Sequence, residues 1–395
     1  MKIIIHDLAA HPFIFQLSTE LAKRGHIVFH LISTFFDSPN KSNLTCDNGD
    51  NLKLIQISIK NEYSKTNFIK RRKADIEYGE EIAKKISEIK PDIFINTISQ
   101  LDSTKHILKR CKRENIKYIS WVQDIYSLAI KSILIKKIPL IGYFIFRYYE
   151  LLERNILKSS DSVIVISDCF KQLLIKWGIN YKKIHLIPNW ANNELIKKKS
   201  KTNEWSTKNG LDDKFVFLYA GTLGYKHNPL LLCELALFLK DYNEIRIVVI
   251  SNGQGADILR KTKIEIKLEN LILFDYQPMN QLSYVLSSAD VLISILEKDA
   301  GIYSVPSKIL SYLCVGRPLL LSVPLENQAS KIVNENNMGI VVDPFDTNRF
   351  LSSALELYKN SALREVFSEN AQKYSKTEFD IIKKADLFEE IINKV

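Results

Sequence analysis

The chain has 395 residues, 46% of them hydrophobic, and a formal net charge of +10 at pH 7. That length exceeds one ordinary domain and predicts two or three, with ample apolar material for buried cores. No apolar run is long enough to cross a membrane. The five cysteines are scattered and lack metal-ligand spacing, which is typical of reduced thiols in a cytoplasmic protein.

The positive charge is concentrated in the first half of the chain, with lysine and arginine runs at 70–73, 105–117, 136–137 and 197–199. Three interpretations compete: nucleic acid, an anionic membrane surface, or a solvated lysine-rich face. Nucleic acid is the least supported, because no nucleic-acid module is recognisable and no stacking aromatic residues alternate with the basic ones. We expect no nucleic-acid partner, and the other two interpretations stay open.

The first half alternates short apolar runs with amphipathic stretches, the pattern of βαβ units on a parallel sheet. Strands are predicted at 3–6, 27–31, 54–57, 93–96, 118–121, 163–166 and 184–187, and helices include 13–24, 72–88 and 167–177. Pro188-Asn189-Trp190 breaks this pattern, and a polar stretch follows. The sequence therefore predicts an N-terminal Rossmann-like domain over residues 1–190 and a linker over 191–213.

The second half restarts the same alternation. Strands are predicted at 215–219, 247–251, 271–274, 291–295, 319–322 and 339–342, which gives a second Rossmann-like domain over residues 214–378. The last amphipathic stretch, residues 379–395, is long enough to cross back to the first domain. The predicted fold class is α/β, with two doubly wound domains facing each other across a cleft.

Turns suited to a ligand follow the predicted strands of the second domain. Pro306-Ser307-Lys308 precedes an apolar helix, whose free N–H groups and dipole favour an anion. Each of the other turns has an ordinary structural explanation, but in an open parallel sheet they meet at one edge, which favours a nucleotide-type ligand. These other turns contain Gly221, Thr222 and Gly224, then Lys226 and His227, Asn252 and Gly253, Tyr276, Gln277 and Pro278, and finally Asp299, Ala300 and Gly301.

Together, several motifs resemble those of the family 4 retaining glycosyltransferases over essentially the whole chain. The motifs are His6 to Phe13, Leu21 to His26, Gln123-Asp124-Ile125-Tyr126, Ile187-Pro188-Asn189-Trp190, Lys226-His227-Asn228-Pro229, Val305-Pro306-Ser307-Lys308 and Gly316-Arg317-Pro318. Within the family the chain looks most like enzymes similar to colanic-acid and O-antigen fucosamine transferases.

The resemblance implies the GT-B fold and a nucleoside diphosphate sugar donor, with UDP preferred. It also implies transfer, with retention of configuration, to an acceptor carried on polyprenyl diphosphate, in O-antigen, capsule or exopolysaccharide biosynthesis. In such a mechanism the departing phosphate helps to deprotonate the acceptor. No metal or other cofactor is expected, since Asp47 and Asp50 are wrongly spaced for an Asp-x-Asp motif.

Donor contacts can be carried over position by position. Lys226 matches the lysine of a basic pair that holds the phosphates, whereas Thr222 stands where arginine is frequent. Two glutamates that the family often carries correspond to Tyr303 and Ser311, so both are missing. Glu326 is a possible substitute for ribose binding, and Lys308 with Ser307 takes over a phosphate role.

The remaining donor residues have more general roles. Backbone groups near Tyr276, Gln277 and Pro278 would hold the base, and Asp299, Ala300 and Gly301 would face the sugar. For Asp299, a turn or capping role is equally open. We interpret Arg317 as a surface charge that follows the helix.

On the acceptor side, the loop after the first strand holds His11 as the preferred polar contact, with helix capping as the alternative. Ala10 stands where the family usually has glycine. Gln123 replaces a histidine that touches the sugar in relatives; it can hydrogen-bond a hydroxyl but cannot act as a base. Asp124 is the nearest titratable group and has capping of the next helix as its alternative role.

Residues 133–149 mix apolar and aromatic residues with cations, which suits either an anionic lipid surface or a buried helix. The leading hypothesis is thus a cytoplasmic transferase in possible peripheral contact with the anionic inner membrane. Two rivals remain: a UDP-sugar 2-epimerase, whose cleft carboxylates and histidines this chain does not convincingly supply, and a degenerate GT-B subunit. The missing glutamates favour the degenerate subunit, whereas Lys226, Ser307 and Lys308 argue against it.

Overall fold

The computed structural model describes residues 1–36, 51–64, 67–97, 99–224, 226–301 and 304–395, without the side chains of 136 and 137. The chain forms two compact units. The first contains Met1–Asn189 and Ile381–Val395, and the second contains Trp190–Asp380. Each unit has its own parallel sheet and its own buried apolar core.

The described residues of the first unit form a seven-stranded sheet in the order β3-β2-β1-β4-β5-β6-β7, with every pair parallel. The strands are β1 (Lys2–His6), β2 (Ile27–Ser33), β3 (Leu52–Ile57), β4 (Ile93–Asn96), β5 (Lys117–Val122), β6 (Ser162–Val165) and β7 (Ile184–Leu186). The helices are α1 (Pro12–Lys23), α2 (Phe68–Ile89), α3 (Leu101–Arg113), α4 (Tyr126–Lys137), α5 (Pro139–Ser159) and α6 (Asp168–Lys176).

The second unit has a six-stranded parallel sheet in the order β10-β9-β8-β11-β12-β13 within the described chain. The strands are β8 (Phe215–Ala220), β9 (Ile245–Ile250), β10 (Leu271–Phe274), β11 (Val291–Ile295), β12 (Leu319–Ser322) and β13 (Gly339–Val342). The helices are α7 (Glu204–Lys208), α8 (Leu230–Phe238), α9 (Gln254–Glu265), α10 (Leu282–Ser287), α11 (Lys308–Val315), α12 (Gln328–Glu335), α13 (Thr347–Lys359) and α14 (Ser361–Glu378). The last helix, α15 (Ile381–Ile392), belongs to the first unit.

These elements confirm the predicted strands of both halves, with ends that differ by a few residues. Helix α2 starts four residues before the predicted position because Asn67 caps it, its side-chain oxygen accepting from the Lys70 N–H at 3.0 Å. Helix α15 lies against α1, where Arg24 bonds Asp386 at 2.7 Å and Glu389 at 2.6 Å.

The strand order of each sheet reverses once, which determines where a ligand can enter. The chain winds outward from β1 to β3 and then returns to place β4 beside β1. In the second sheet it winds from β8 to β10 and returns to place β11 beside β8. The loops that follow β8 and β1 therefore lie at the switch points, where open parallel sheets bind ligands. None of the described helices is both long enough and apolar enough to span a membrane.

Candidate active site

In the second unit, the loop after β8 and the start of α11 meet at one lysine. Gly221 has φ of +141°, and a Cβ placed on it would lie 3.1 Å from Cε and 3.3 Å from Nζ of Lys308. The absence of a side chain at Gly221 therefore leaves room for this lysine beside the backbone. Tyr312, one turn further along α11, fixes the same strand end, since its hydroxyl bonds both N and O of Ala220.

Among the described residues, Lys308 has an aromatic and hydroxyl environment and no carboxylate partner. Its Nζ lies 3.8 Å from the centre of the Tyr219 ring and also bonds the Tyr219 hydroxyl. Burial, and then the charge of Lys226, place the pKa of Lys308 well below its usual range. Ser307, at the N-cap position of α11, is exposed and makes no side-chain capping bond.

Lys226 and His227 complete a basic cluster with Lys308. Lys226 Nζ donates to Ser304 Oγ at 2.7 Å, and His227 Nδ1 accepts from the Gly224 N–H at 3.0 Å. Burial, with the charges of Lys308 and Lys226, lowers the pKa of His227 to about 3, so this imidazole is neutral at pH 7. Within the described chain none of the three basic residues forms an ion pair, and the cluster is therefore suited to an anionic ligand.

Two further loops, those after β9 and β10, meet the loop after β8 at the same sheet edge. Thr222 Oγ1 bonds the Tyr276 hydroxyl at 2.7 Å, and the Tyr276 N–H donates to Asn252 Oδ1 at 3.2 Å. Gly253, next to Asn252, has φ of +91° and precedes α9. Gln277 is oriented by structural bonds instead, since its Oε1 accepts from Trp205 Nε1 at 3.0 Å. The predicted Thr222, Asn252, Gly253 and Tyr276 are thus brought together.

The residues predicted to face the sugar form a short turn. Ala300 is buried, Asp299 is exposed, and the carbonyl of Gly301 accepts from Asn327 Nδ2 at 3.0 Å. Ser311 is half-buried on α11, and Glu326 is exposed next to Asn327. Pro278 begins a 3-10 turn after β10. Tyr303, and the acidic pair Asp47 and Asp50, lie outside the described residues.

Arg317 differs from its expected place. Its Nη2 donates to the carbonyl of Ser287 at 2.7 Å, and burial lowers its pKa although the charge of Asp290 opposes this. The interpretation of Arg317 as a surface charge is therefore wrong. The guanidinium satisfies the C-terminal carbonyl of α10, at the far end of α11 from Lys308.

In the first unit, the loop after β1 holds an Asp–His pair. Asp7 is fully buried and accepts from the backbone N–H of Ala9 at 3.2 Å, from that of His11, and from His11 Nδ1 at 2.7 Å. Burial would raise the pKa of Asp7, but the charge and hydrogen bonds of His11 hold it at about 2. Conversely, burial would lower the pKa of His11, and the charges of Asp7 and Asp124 raise it above its ordinary value.

His11 occupies the N-cap position of α1, but its side chain makes no capping bond. The side-chain capping alternative is therefore wrong, and the imidazole points to Asp7 instead. Ala10 has φ of +58°, in the left-handed region that favours glycine. That conformation gives a physical reason for a glycine at this position in other chains with such a loop.

The loop between β5 and α4 carries the other two predicted residues. Gln123 is buried and pairs with Asn189, its Nε2 donating to Oδ1 at 3.3 Å and its Oε1 accepting from Nδ2 at 2.5 Å. Asp124 is half-buried near His11. A pocket of about 40 Å³ is lined by both residues together with Asn96, Thr97 and Glu153, among others.

Glu153 is a residue of this region that the sequence did not indicate. It lies on α5, and its carboxylate accepts from the N–H groups of Tyr126 at 2.9 Å and of Ser127 at 3.0 Å. Glu153 thereby caps the N-terminus of α4, which is the role that the sequence offered as the alternative for Asp124. Because Glu153 follows Ser127 by 26 residues, no local capping pattern reveals the pair.

Two family models match adjoining parts of the chain. The model described as Glycosyltransferase Family 4 matches residues 11–195, and the one described as Glycosyl transferases group 1 matches residues 201–374. The chain belongs to the family 4, group 1 glycosyltransferases.

Three proteins similar to this glycosyltransferase share between 12% and 24% sequence identity with it. An uncharacterized glycosyltransferase of Methanocaldococcus jannaschii is 24% identical over 63% of this chain, and the match spans 62% of that relative's length. The Anabaena protein HepE, solved with UDP and glucose, has a TM-score of 0.76 at 12% identity with full coverage of both chains. WaaG, described as a glycosyltransferase involved in lipopolysaccharide biosynthesis, has a TM-score of 0.72 at 17% identity and covers 98% of this chain and 99% of its own.

The structural similarities show that this family 4 glycosyltransferase has the GT-B fold, as predicted. Its basic cluster lies on the unit that the group 1 model matches, at the switch point after β8. Over the described residues, no group of three or more histidine, cysteine or acidic side chains is placed to hold a metal ion.

Proposed function

We propose that this glycosyltransferase transfers a sugar from a nucleoside diphosphate sugar, preferably UDP-linked, with retention of configuration. The observation that carries the proposal is the cluster of Lys226, His227 and Lys308, which lies at a switch point without a carboxylate partner in the described chain. Such a cluster needs an anion to compensate it, and a diphosphate supplies one. HepE, which shares the fold, has been solved with UDP and glucose.

Each donor residue is assigned a role on this basis. Lys226, Lys308, Ser307 and the backbone from Gly221 to Gly224 hold the phosphates and stabilise the charge on the departing diphosphate. The base lies along Asn252, Gly253 and the stretch Tyr276 to Pro278. Asp299, Ala300 and Gly301 contact the sugar, and Ser311 with Glu326 holds the ribose. His227 stays neutral and offers its Nε2–H to an oxygen.

The first unit provides the acceptor contacts in this proposal. Nε2 of His11 has no partner among the described residues, so the imidazole keeps a free N–H that Asp7 orients from the opposite nitrogen. Gln123 and Asp124 contribute hydrogen bonds to hydroxyl groups. The acceptor is a surface glycan on polyprenyl diphosphate, in O-antigen, capsule or exopolysaccharide assembly, and the sugar is a hexosyl or N-acetylhexosaminyl group. WaaG, a fold relative, is described as acting in lipopolysaccharide biosynthesis.

A lipid-linked acceptor places the enzyme at the inner face of the cell membrane, and α5 offers a surface for that contact. Ile141, Phe144, Tyr148 and Leu151 follow each other at spacings of three and four residues and are exposed, Phe144 by 72%. A helix stripe this apolar is normally covered. We therefore assign the membrane contact to the N-terminal end of α5 and not to the whole of residues 133–149.

Basic residues of α2 lie beside this stripe. Phe68 and Ile69 are exposed on the first turn of α2, and the Phe68 ring lies 6.3 Å from that of Tyr149. Arg72 lies 5.9 Å from the Tyr148 ring, and Lys70, which also bonds Glu62, is exposed next to it. Apolar and aromatic side chains next to cations suit the headgroup region of an anionic bilayer.

Calorimetric titration with UDP, GDP and UDP-linked N-acetylhexosamines tests the donor assignment. We expect micromolar binding of one nucleotide set, and we expect Lys308→Ala to weaken it by tenfold or more, since hydrogen bonds to charged groups contribute about 1.5–3 kcal/mol. Lys331→Ala, which removes a half-buried lysine from α12, serves as the control and leaves binding unchanged. The absence of binding by all of these ligands would refute the donor site.

Flotation with phosphatidylcholine vesicles, with and without phosphatidylglycerol, tests the membrane contact. Ile141→Gln with Phe144→Gln should weaken binding to the anionic vesicles by roughly a hundredfold, because each apolar side chain contributes about 1.5 kcal/mol or more. The matched control is Ile264→Gln with Phe345→Gln, which changes two equally exposed apolar residues of the second unit. Equal loss in both variants, or no preference for anionic lipid, would contradict the proposal.

A donor-binding subunit without turnover is the second candidate. It is favoured by Thr222 and Ser311, which stand where the family often carries arginine and glutamate. Ordinary UDP affinity, combined with no hydrolysis of UDP-sugar and no transfer to any lipid-linked acceptor, would favour this candidate over the enzyme.

A further inference from the structure

Tyr219 connects the basic cluster to the loop after β8. It is the second-last residue of β8 and is fully buried. Its hydroxyl donates to the carbonyl of Thr222 at 2.9 Å and also bonds Nζ of Lys308. A phenol has one hydrogen to donate and lone pairs to accept. With the hydrogen committed to Thr222, the phenol oxygen accepts from an N–H of Lys308.

The same side chain supports Lys308 through its ring. Nζ lies 3.8 Å from the ring centre, well within the range of a cation–π contact. The lysine also passes close to the bare backbone of Gly221. Its amine therefore lies next to both a tyrosine and a glycine, and no carboxylate of the described chain competes for its N–H groups.

We propose that Tyr219 is a positioning residue for the donor diphosphate: its ring and hydroxyl hold Lys308 beside Gly221, and the site thereby distinguishes a nucleoside diphosphate from the bare nucleoside. This inference rests on the donor site proposed above. The ammonium of Lys308 has three N–H groups, and one bonds Tyr219. The other two remain for phosphate oxygens, whereas uridine offers no group at this position.

Tyr219→Phe isolates the hydroxyl. The variant keeps the ring, its buried volume and the cation–π contact, so the β8 strand is expected to stay intact. It removes the acceptor for Lys308 and the bond to Thr222, whose carbonyl lies in an exposed residue and can bond water. Tyr358→Phe is the matched control, because its hydroxyl bonds the charged Glu244 elsewhere in the second unit.

The experiment is a calorimetric titration of UDP and uridine into the full-length parent, Tyr219→Phe, Lys308→Met, the double variant and Tyr358→Phe. We expect Tyr219→Phe to weaken the binding of UDP roughly tenfold, which is the effect of one lost hydrogen bond to a charged group. The affinity for uridine should stay unchanged. In the Lys308→Met background, Tyr219→Phe should have no further effect on UDP, because the lysine it positions is gone. Unchanged uridine affinity also shows that the base pocket is still folded.

Other outcomes separate the two proposals. Suppose that the parent binds UDP while Tyr219→Phe lowers the affinities for UDP and for uridine equally. In that case Tyr219 has a general structural role, so the inference is overturned and the donor site stands. Additive losses in the double variant, or a Tyr219→Phe affinity equal to that of the parent, overturn it as well. If the parent binds no nucleotide, both the donor site and the inference fail.

Discussion

Replacing Glu153 by glutamine should remove part of the pH dependence of stability in the first unit. The carboxylate is buried and accepts from two N–H groups at the start of α4 and from the Ser127 hydroxyl at 2.5 Å. Burial raises its pKa to about 7; the hydrogen bonds of Ser127 and Tyr126 oppose this, and the charge of Asp124 adds to it. The folded protein therefore holds this proton more tightly than the unfolded chain does.

The magnitude follows from that difference. A carboxyl pKa that rises from 4.5 to about 7 on folding corresponds to about 3 kcal/mol, at about 1.4 kcal/mol per pH unit. Because the folded pKa is raised, this contribution is fully present below pH 4.5 and is lost as the pH rises through 7. The amide of Glu153→Gln resembles the protonated acid and does not titrate, so the parent should lose about 3 kcal/mol relative to the variant between pH 4.5 and 8.

Urea unfolding at several pH values, followed by the fluorescence of Trp121 and Trp177 in the first unit, measures this difference. The two proteins should have similar free energies of unfolding near pH 5, and the variant should be the more stable one at pH 8. Glu150→Gln on the same helix, whose carboxylate pairs with Arg147, is the control. Parallel curves for Glu153→Gln and the parent would refute the reasoning and indicate that the carboxylate is charged throughout this range.

Three further predictions concern charge in the two units. Lys308→Met should raise the melting temperature of the ligand-free protein. Burial lowers the pKa of this lysine, so the folded state disfavours the ammonium that the unfolded chain carries at pH 7. A lower melting temperature by scanning fluorimetry would contradict this. Asp7→Asn should lower the pKa of His11, followed by NMR titration of its ring protons, since the charge of Asp7 raises that pKa; an unchanged midpoint would show that Asp7 does not set it. Thr222→Arg should tighten UDP binding several-fold, with a steeper salt dependence, by restoring a cation to an exposed position; weaker binding in calorimetry would place the phosphates elsewhere.

Much of the fold could be predicted because its signals are local. Buried parallel strands appear as short apolar runs, and residues 291–295 and 319–322 were identified with the same ends that the structure gives them. The meeting of several turns of the second unit at one place was also predictable, because the carboxyl ends of parallel strands must lie at one edge of the sheet. The position of Lys308, after the Pro-Ser turn and before an apolar helix, was enough to predict that it lies at the start of α11.

Other parts of the site depend on contacts that the local sequence does not encode. Glu153 caps a helix from the middle of another helix, and Tyr219 looks like any aromatic residue of a buried strand until Lys308 is placed over it. The Asp7–His11 pair was closer to prediction, since the two residues are four positions apart, but a loop has no fixed period that would bring them together. The prediction for Arg317 is wrong because the position of a residue after a helix does not determine which backbone carbonyl its side chain can reach.

Two positions where this chain lacks a residue that the family often carries, Thr222 and Ser311, both affect the charge around Lys308. An arginine at the position of Thr222 would add a cation near the phosphates, and a glutamate at the position of Ser311 would add an anion on α11, three residues from Lys308. With neither present, Lys308 needs no carboxylate partner and is held by Tyr219 and Gly221 instead. A glutamate one turn along the helix would pair with the lysine and compete with the phosphate for it. The absence of that glutamate and the use of Lys308 are therefore consistent changes, which favours a donor site that binds its nucleotide, whether or not the subunit then transfers the sugar.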